Sequence, residues 1–288
     1  LSLLHLAKAI INRGTEQIFC ILLVAVYASE VTGEERRIHP ENASFFGLGK
    51  AINKECSNIK LKCVDIDETT GVLDLLAELA DESPLYVTAY RNGQRYVEEF
   101  QSVTMEDLPD QEIALQEDGV YVITGGAGGI GLEIAKHFAS RKRVQLALIN
   151  RSKMPPREKW EEIISKADDQ KLCKKMNTIL EIEALGAQVV YYSADVSDRQ
   201  AIKEVLDELR EKYGAIRGII HGAGVASNKM LAQLDEETFR SVLAPKINGT
   251  WNLHQLTGAD QLDFFIMFSS IATIFTSIRQ GDYVAANS

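Results

Sequence analysis

Positive charge is in short supply in this chain. Its 31 lysines and arginines face 41 aspartates and glutamates, a formal net charge of −10 over 288 residues. That balance argues against broad binding to nucleic acid or to an anionic membrane, both of which call for a basic surface. Cysteines are few and scattered: Cys20, Cys56, Cys63 and Cys173 form no C-x-x-C pair. They read as reduced thiols of a cytoplasmic protein, not as a disulfide framework. The five histidines show no H-x-x-x-H or H-E-x-x-H spacing, so no metal is expected. A membrane-spanning run is missing too. The most apolar stretch, IFCILLVAVYA at 18–28, is shorter than the about 20 residues a bilayer requires. Its isoleucines and valines suit a buried strand. No signal peptide is visible and no methionine opens the chain, so the true N-terminus is expected to lie upstream.

What is present is an alternation of helix and strand signals. LLHLAKAIINRG has helical spacing and a glycine stop, and ASFFGLGKAINKEC reads as a second helix. IKLKCVDID reads as a strand. LYVTAYRNGQRYVEEF reads as a hairpin turned at Asn92-Gly93, the favoured two-residue loop. VTMEDLPDQEIALQEDG is acidic and turn-rich, and residues 105–118 are assigned to a linker. Beyond it VYVIT, VQLALIN, AQVVYYSA, IRGIIHG and DFFIMFSS are short apolar strands separated by helical segments such as GIGLEIAKHFASR. This is the pattern of a doubly wound parallel sheet. The expected architecture is α/β: two related domains in tandem over 1–104 and 119–288, the second a doubly wound parallel sheet. The charged stretch from Lys153 to Leu185 reads as a solvated pair of helices.

The strand VYVIT runs into TGGAGGIG and then a helix, placing Thr124, Gly125, Gly126, Gly129, Ile130 and Gly131 at one turn. Glycines there permit a sharp bend, close approach of backbone to a pyrophosphate, and tight helix packing. The helix N-terminus adds N–H groups for the phosphate. The ribose-reading position falls about 20 residues on, where NAD sites carry an acid. Here it holds Asn150, Arg151 and Ser152. A guanidinium and a hydroxyl suit a 2′-phosphate, so NADPH is expected over NADH. Asp195 and Val196, at the end of the third strand, should border the adenine.

Tyr283 and Asn287, four apart, share a helix face. A free tyrosine, pKa ~10, is a poor acid at neutral pH, so a catalytic Tyr283 needs a cation, and none follows it. The whole pattern resembles the short-chain dehydrogenase/reductase superfamily, whose usual motif has lysine four residues after the tyrosine. Asn287 departs from it. The ketoreductase domains of bacterial modular polyketide synthases show this departure, carrying the lysine on an earlier helix. LAPKINGTWNLHQLT supplies Lys246 at the corresponding place, FSSIAT supplies Ser270, and HGAGV supplies Ala223 and Gly224 beside the cofactor. FFGLGKAI and the hairpin resemble that family's non-catalytic, Rossmann-like structural subdomain, so the resemblance implies two tandem Rossmann-like subdomains, the second binding the cofactor.

The resemblance implies reduction of a β-ketoacyl thioester by NADPH. It makes Tyr283 the proton donor, Ser270 a hydrogen-bond donor to the same oxygen, and Lys246 the cation that makes Tyr283 a better acid. Asn287 would hold Lys246 or a relay water. It also implies an acyl carrier protein bearing the substrate on a phosphopantetheine arm, and neighbouring synthase domains. Arg141-Lys142-Arg143 is a candidate docking patch. Such domains continue past the tyrosine helix, and the first helix here has no strand before it, so a piece of a longer chain is expected. Ala226-Ser227-Asn228 stands where one stereochemical group has Leu-Asp-Asp, and Phe275 where the opposite group often has tryptophan. Loss of the aspartate favours an L-hydroxy product. Two other readings remain: a catalytically silent reductase-like scaffold, and a stand-alone reductase of small ketones.

Overall fold

A computed structural model describes residues 1–104, 106 and 113–288 of the chain. The linker expected over 105–118 falls mostly outside the described residues. Two compact units are present: Leu1–Pro109 with Val225–Leu243 and Ser269–Ser288, and Asp110–Gly224 with Ala244–Phe268. The sequence blocks 1–104 and 119–288 therefore do not coincide with the compact units, because two later segments pack onto the first block.

In the first unit, α1 (Ser2–Arg13) ends at Gly14 in the left-handed region, φ 60°, where a side chain is disfavoured. β1 (Phe19–Val26) follows, then α2 (Ala43–Glu55), β2 (Ile59–Ile66), α3 (Val72–Ala80), β3 (Val87–Arg91) and β4 (Gln94–Val97). The strands lie in the order β1-β2-β3-β4, parallel except for the last pair. The expected hairpin is that pair, with Asn92 and Gly93 both at positive φ. α1 and α2 bury Leu3, Leu4, Phe46, Leu48 and Ile52 against Leu61 and Cys63 of β2, and Leu231, Leu234 and Phe239 join the same core.

The loop after β1 is tied down by charge. Arg91, 3% exposed, binds Glu35 through Nε and Asp65 through Nη2, both at 2.9 Å. Asp65 also accepts the N–H groups of Ala28 and Ser29, and Glu35 those of Val31, Thr32 and Gly33. Every charge in this buried set is hydrogen-bonded, the condition for tolerating it away from water.

The second unit opens with β5 (Val120–Thr124), followed by α4 (Gly129–Arg141), β6 (Gln145–Asn150), α5 (Trp160–Lys166), α6 (Gln170–Ala184), β7 (Gln188–Ser193), α7 (Arg199–Tyr213) and β8 (Ile216–His221). α8 (Glu236–Leu256) begins in the first unit and ends in this one, ahead of β9 (Phe264–Met267). The sheet order is β7-β6-β5-β8-β9, all parallel. Alternation along the strands fills both faces. Tyr121, Ile123, Leu146 and Leu148 pack with Leu132, Phe138, Met176 and Ile179 on one side. Val120, Val122, Ala147 and Ile149 pack with Ile202, Leu206, Leu209 and Leu253 on the other. This is the doubly wound α/β sheet expected from the sequence. The helix pair within 153–185 is not simply solvated: Trp160, Cys173, Met176, Ile179 and Ile182 are buried. The abundance of charge there belongs to the outer face and masks a helical apolar stripe.

Candidate functional site

The strand order reverses at β5, which has β6 and β7 on one side and β8 and β9 on the other. In such sheets ligands bind beyond the carboxyl ends of the strands at this switch point. The structure gathers all the cofactor-binding candidates there, on the ends of β5, β6, β7 and β8, within the second unit.

The turn after β5 is shaped by its lack of side chains. Gly125 has φ 69°, and a Cβ there would come 2.9 Å from the Gly222 carbonyl carbon. A Cβ on Gly131 would meet the Gly126 Cα at 2.7 Å. At Gly129 an added Cβ meets nothing within 4 Å, so the glycine borders open space. Ile130 is exposed. No side chain caps α4, which leaves its first-turn N–H groups for solvent or an anion. A cavity of about 200 Å3 lies here, lined by Gly125, Gly128, Gly129, Ile130 and Phe268 among others. A turn with no room for a Cβ at Gly125, Gly126 or Gly131, and with open space at Gly129 beneath an uncapped helix start, fits a pyrophosphate.

The remaining candidates divide into those that shape the turn and those that face outward. Thr124 is buried; its hydroxyl bonds His221 Nδ1 at 2.6 Å and accepts the Ala223 N–H at 3.2 Å. The Asn150 side-chain oxygen accepts the Ala127 N–H at 2.8 Å and braces the glycine turn. Arg151 is exposed, and its backbone is fixed by Ser193, whose hydroxyl donates to the Arg151 carbonyl at 3.1 Å. The Ser152 carbonyl accepts the Tyr191 hydroxyl at 2.6 Å. The loop at the ribose-reading position is therefore held while the guanidinium stays accessible. Asp195 accepts both the N–H and the hydroxyl of Ser197, at 2.9 and 2.6 Å. Val196 is buried and packs where Gly249 of α8 leaves room for it. Gly224 lies beside the stem of Lys246: a Cβ there would stand 2.9 Å from its Cε.

Lys246 belongs to this second unit. Its Nζ donates to the Phe268 carbonyl at 2.7 Å. Burial holds the ammonium below its ordinary pKa, because a less hydrated charge is costlier to keep.

Ser270, Tyr283 and Asn287 belong to the first unit. Ser270 caps a 3₁₀ turn, Ile271–Thr273, accepting the Ala272 N–H at 3.2 Å. Tyr283, partly buried, and Asn287, buried, share α9 (Gly281–Asn287). The Asn287 amide donates to the Tyr283 carbonyl at 2.8 Å, and its Oδ1 is buried with no partner among the described residues. Such an acceptor calls for a donor, from a side chain or a water. α9 lies against α2 so closely that a Cβ on Gly47 would be 2.9 Å from the Val284 carbonyl oxygen. The two glycines of FFGLGKAI were legible in the sequence, but not that one of them beds this helix.

Of the basic patch, Arg143 is engaged by Asp118, with Nε and Nη2 at 2.8 and 2.6 Å. Its charge is thereby offset. Among the described residues no group of His, Cys, Asp and Glu is arranged to hold a metal, and no helix is long and apolar enough to cross a membrane.

A family model described as the KR domain matches residues 119–288. The polyketide synthase PksL of Bacillus subtilis (strain 168) is 33% identical over 255 residues, covering 85% of this chain and 6% of that protein. The 5-methyl-1-naphthoate synthase of Streptomyces sahachiroi is 34% identical over 178 residues, covering 62% of this chain and 10% of that one. The chain thus spans a small part of the curated relatives it matches. A crystal structure of a ketoreductase domain from the bacillaene assembly line superposes with a TM-score of 0.79 at 29% identity, over 99% of this chain and 63% of that one.

Proposed function

This chain belongs to the KR domain family, and we propose that it reduces the ketone of a β-ketoacyl thioester to a hydroxyacyl thioester, with NADPH as reductant, in polyketide biosynthesis. The observation that carries this reading is the glycine cradle at the β5/β8 switch point, with the half-buried Lys246 in the same unit. When bound, NADPH supplies the hydride.

The chain's own residues bind, orient and deliver a proton. Gly125, Gly126, Gly129, Ile130 and Gly131 take the pyrophosphate against backbone N–H groups. Arg151 and Ser152 take the 2′-phosphate, and the site carries no carboxylate there to repel it. Asp195 and Val196 border the adenine, and Ala223 and Gly224 the nicotinamide side. Tyr283 gives its proton to the developing alkoxide, and Ser270 donates a hydrogen bond to that oxygen, which a fixed donor stabilises. Lys246 supplies the positive charge that makes the phenol a competent acid. Asn287 accepts from Lys246 or from a water that relays protons to it.

In the same reading the substrate arrives on the phosphopantetheine arm of an acyl carrier protein, and the chain works beside other synthase domains in the cytoplasm. Residues 1–104 serve as the structural subdomain and 119–288 as the catalytic one. Consumption of NADPH with 3-ketoacyl thioesters, with the alcohol identified by mass, tests the proposal. No consumption with any such thioester would leave a silent scaffold; turnover of free ketones alone would favour a stand-alone reductase.

A further inference from the structure

We propose that His221 is a positioning residue: by holding the carbonyl of Pro245 it fixes the turn of α8 that carries Lys246, and so sets where the ammonium stands. The inference rests on the ketone-reduction reading above, and its contacts all lie within the second unit.

His221 ends β8 and is 1% exposed. Its Nε2 lies 3.0 Å from the Pro245 carbonyl oxygen, and its Nδ1 lies 2.6 Å from the Thr124 hydroxyl. A carbonyl only accepts, so Nε2 carries the ring proton and Nδ1 is bare. Thr124 must then donate to Nδ1, which leaves its oxygen to accept the Ala223 N–H. The direction of the chain is fixed from the β8 turn, through Thr124 and the imidazole, to α8. Burial first, and the Lys246 ammonium second, lower His221 to about 4. Near neutral pH the ring is uncharged and keeps this one-proton arrangement.

Pro245 is inside α8. It has no N–H to give the carbonyl one turn earlier, and its ring crowds that turn. α8 is thus weakest at the residue before Lys246, and contacts from outside the helix must set its course there. Three positions on one face do so. His221 takes the Pro245 carbonyl; Gly249 lets Val196 approach, since a Cβ there would be 2.7 Å from its Cγ1; and Asn252 donates to the Val196 and Ser197 carbonyls at 3.1 and 3.0 Å. Only the first is next to Lys246. The ammonium is held at its other end by the Phe268 carbonyl, so a shift of the helix at residue 245 strains that bond directly.

The test has one arm without catalysis and one with it. Ring 15N spectra of the full chain labelled at histidine, taken without cofactor or substrate, should show His221 as the Nε2–H form near pH 7, the signal being assigned by its loss in His221→Gln. An Nδ1–H form or an imidazolium overturns the proposal. In the second arm, His221→Phe keeps a ring and loses both hydrogen bonds. It should lower kcat by a factor on the order of 10 to 100, the scale of a small misplacement of a reacting group. KM should change little, and the pH–rate profile should move. His221→Gln, which restores an N–H donor, should recover part of the rate. A loss of thermal stability with kcat and pH profile unchanged would show a structural role only and defeat the proposal. If the phenylalanine variant does not fold, the glutamine variant and the ring spectrum decide. Tyr283→Phe and Lys246→Ala serve as controls: if they keep full ketone reduction, the reading of the site fails, while the ring spectrum still judges the His221 bond.

Discussion

The ammonium of Lys246 donates to the backbone carbonyl of Phe268 at 2.7 Å, joining α8 to the end of β9. The residues that follow Phe268 carry Ser270. Lys246→Ala removes that tie and the charge together. It should lower kcat and weaken the binding of reduced cofactor. Tyr283→Phe should cut thioester reduction by a factor on the order of 10² or more while leaving cofactor binding unchanged. A Tyr283→Phe protein that retains most of its turnover would mean the proton comes from another group.

Cofactor choice is expected to depend on Arg151, whose exposed guanidinium leaves a loop held by Ser193 and Tyr191. Arg151→Glu should weaken NADPH much more than NADH, because a carboxylate repels the 2′-phosphate and accepts from a free ribose hydroxyl. Fluorescence titration with each cofactor measures this. Equal affinities in the unaltered protein would contradict the assignment.

The glycine turn offers a paired test. Gly131→Ala forces a Cβ into backbone at 2.7–2.8 Å and should destabilise the fold by about 1–3 kcal/mol. Gly129→Ala meets nothing within 4 Å, so thermal melting should be nearly unchanged. Its methyl group enters the space assigned to the pyrophosphate, and cofactor titration should show weaker binding. Unchanged affinity in the Gly129→Ala protein would move the phosphate elsewhere.

The buried ion cluster of the first unit predicts an acid-sensitive fold. Burial by itself would raise the Glu35 carboxyl, but the N–H groups of Thr32 and Val31 and the guanidinium of Arg91 outweigh it and bring the group to about 2, from an ordinary 4.5. A carboxyl so depressed holds its proton less well folded than unfolded. It stabilises the fold above about 4.5, and that contribution is lost as pH falls toward 2. Melting temperature should therefore decline over this window, and less so in Glu35→Gln. Arg91→Ala, which strands two buried carboxylates, should cost about 3–5 kcal/mol at neutral pH by urea unfolding.

Product chirality is expected to be L-hydroxy, since Ala226, Ser227 and Asn228 stand where the opposite group carries its aspartate motif. Asn228 adopts φ 56° and Phe275 is 73% exposed. A face preference of about 1.4 kcal/mol gives a tenfold product ratio. Chiral chromatography of the alcohol from a 3-ketoacyl thioester measures it, and predominantly D-hydroxy product would show the expectation to be mistaken.

Much of this was legible in the sequence because it depends on local spacing. The glycine turn, the hairpin at Asn92-Gly93 and the five parallel strands follow from residues close together in the chain, where period and turn chemistry act directly. α3 went unread because its pattern is inverted: Leu73, Leu76 and Leu79 are exposed while Glu78 is buried, bonded to Tyr90 and Arg95. The solvated reading of 153–185 had the same source, since counting charge does not reveal which face a helix turns inward.

Long-range packing settled the rest. That α9, with Tyr283 and Asn287, lies on α2 near Gly47 and Ala51 depends on contacts more than 200 residues apart. That His221 meets Pro245 depends on the β8 register and on the close approach of α8 at Gly249. Sequence period determines what a segment becomes; which segments touch is decided by shape and by the pairing of buried polar groups, and no local pattern encodes either.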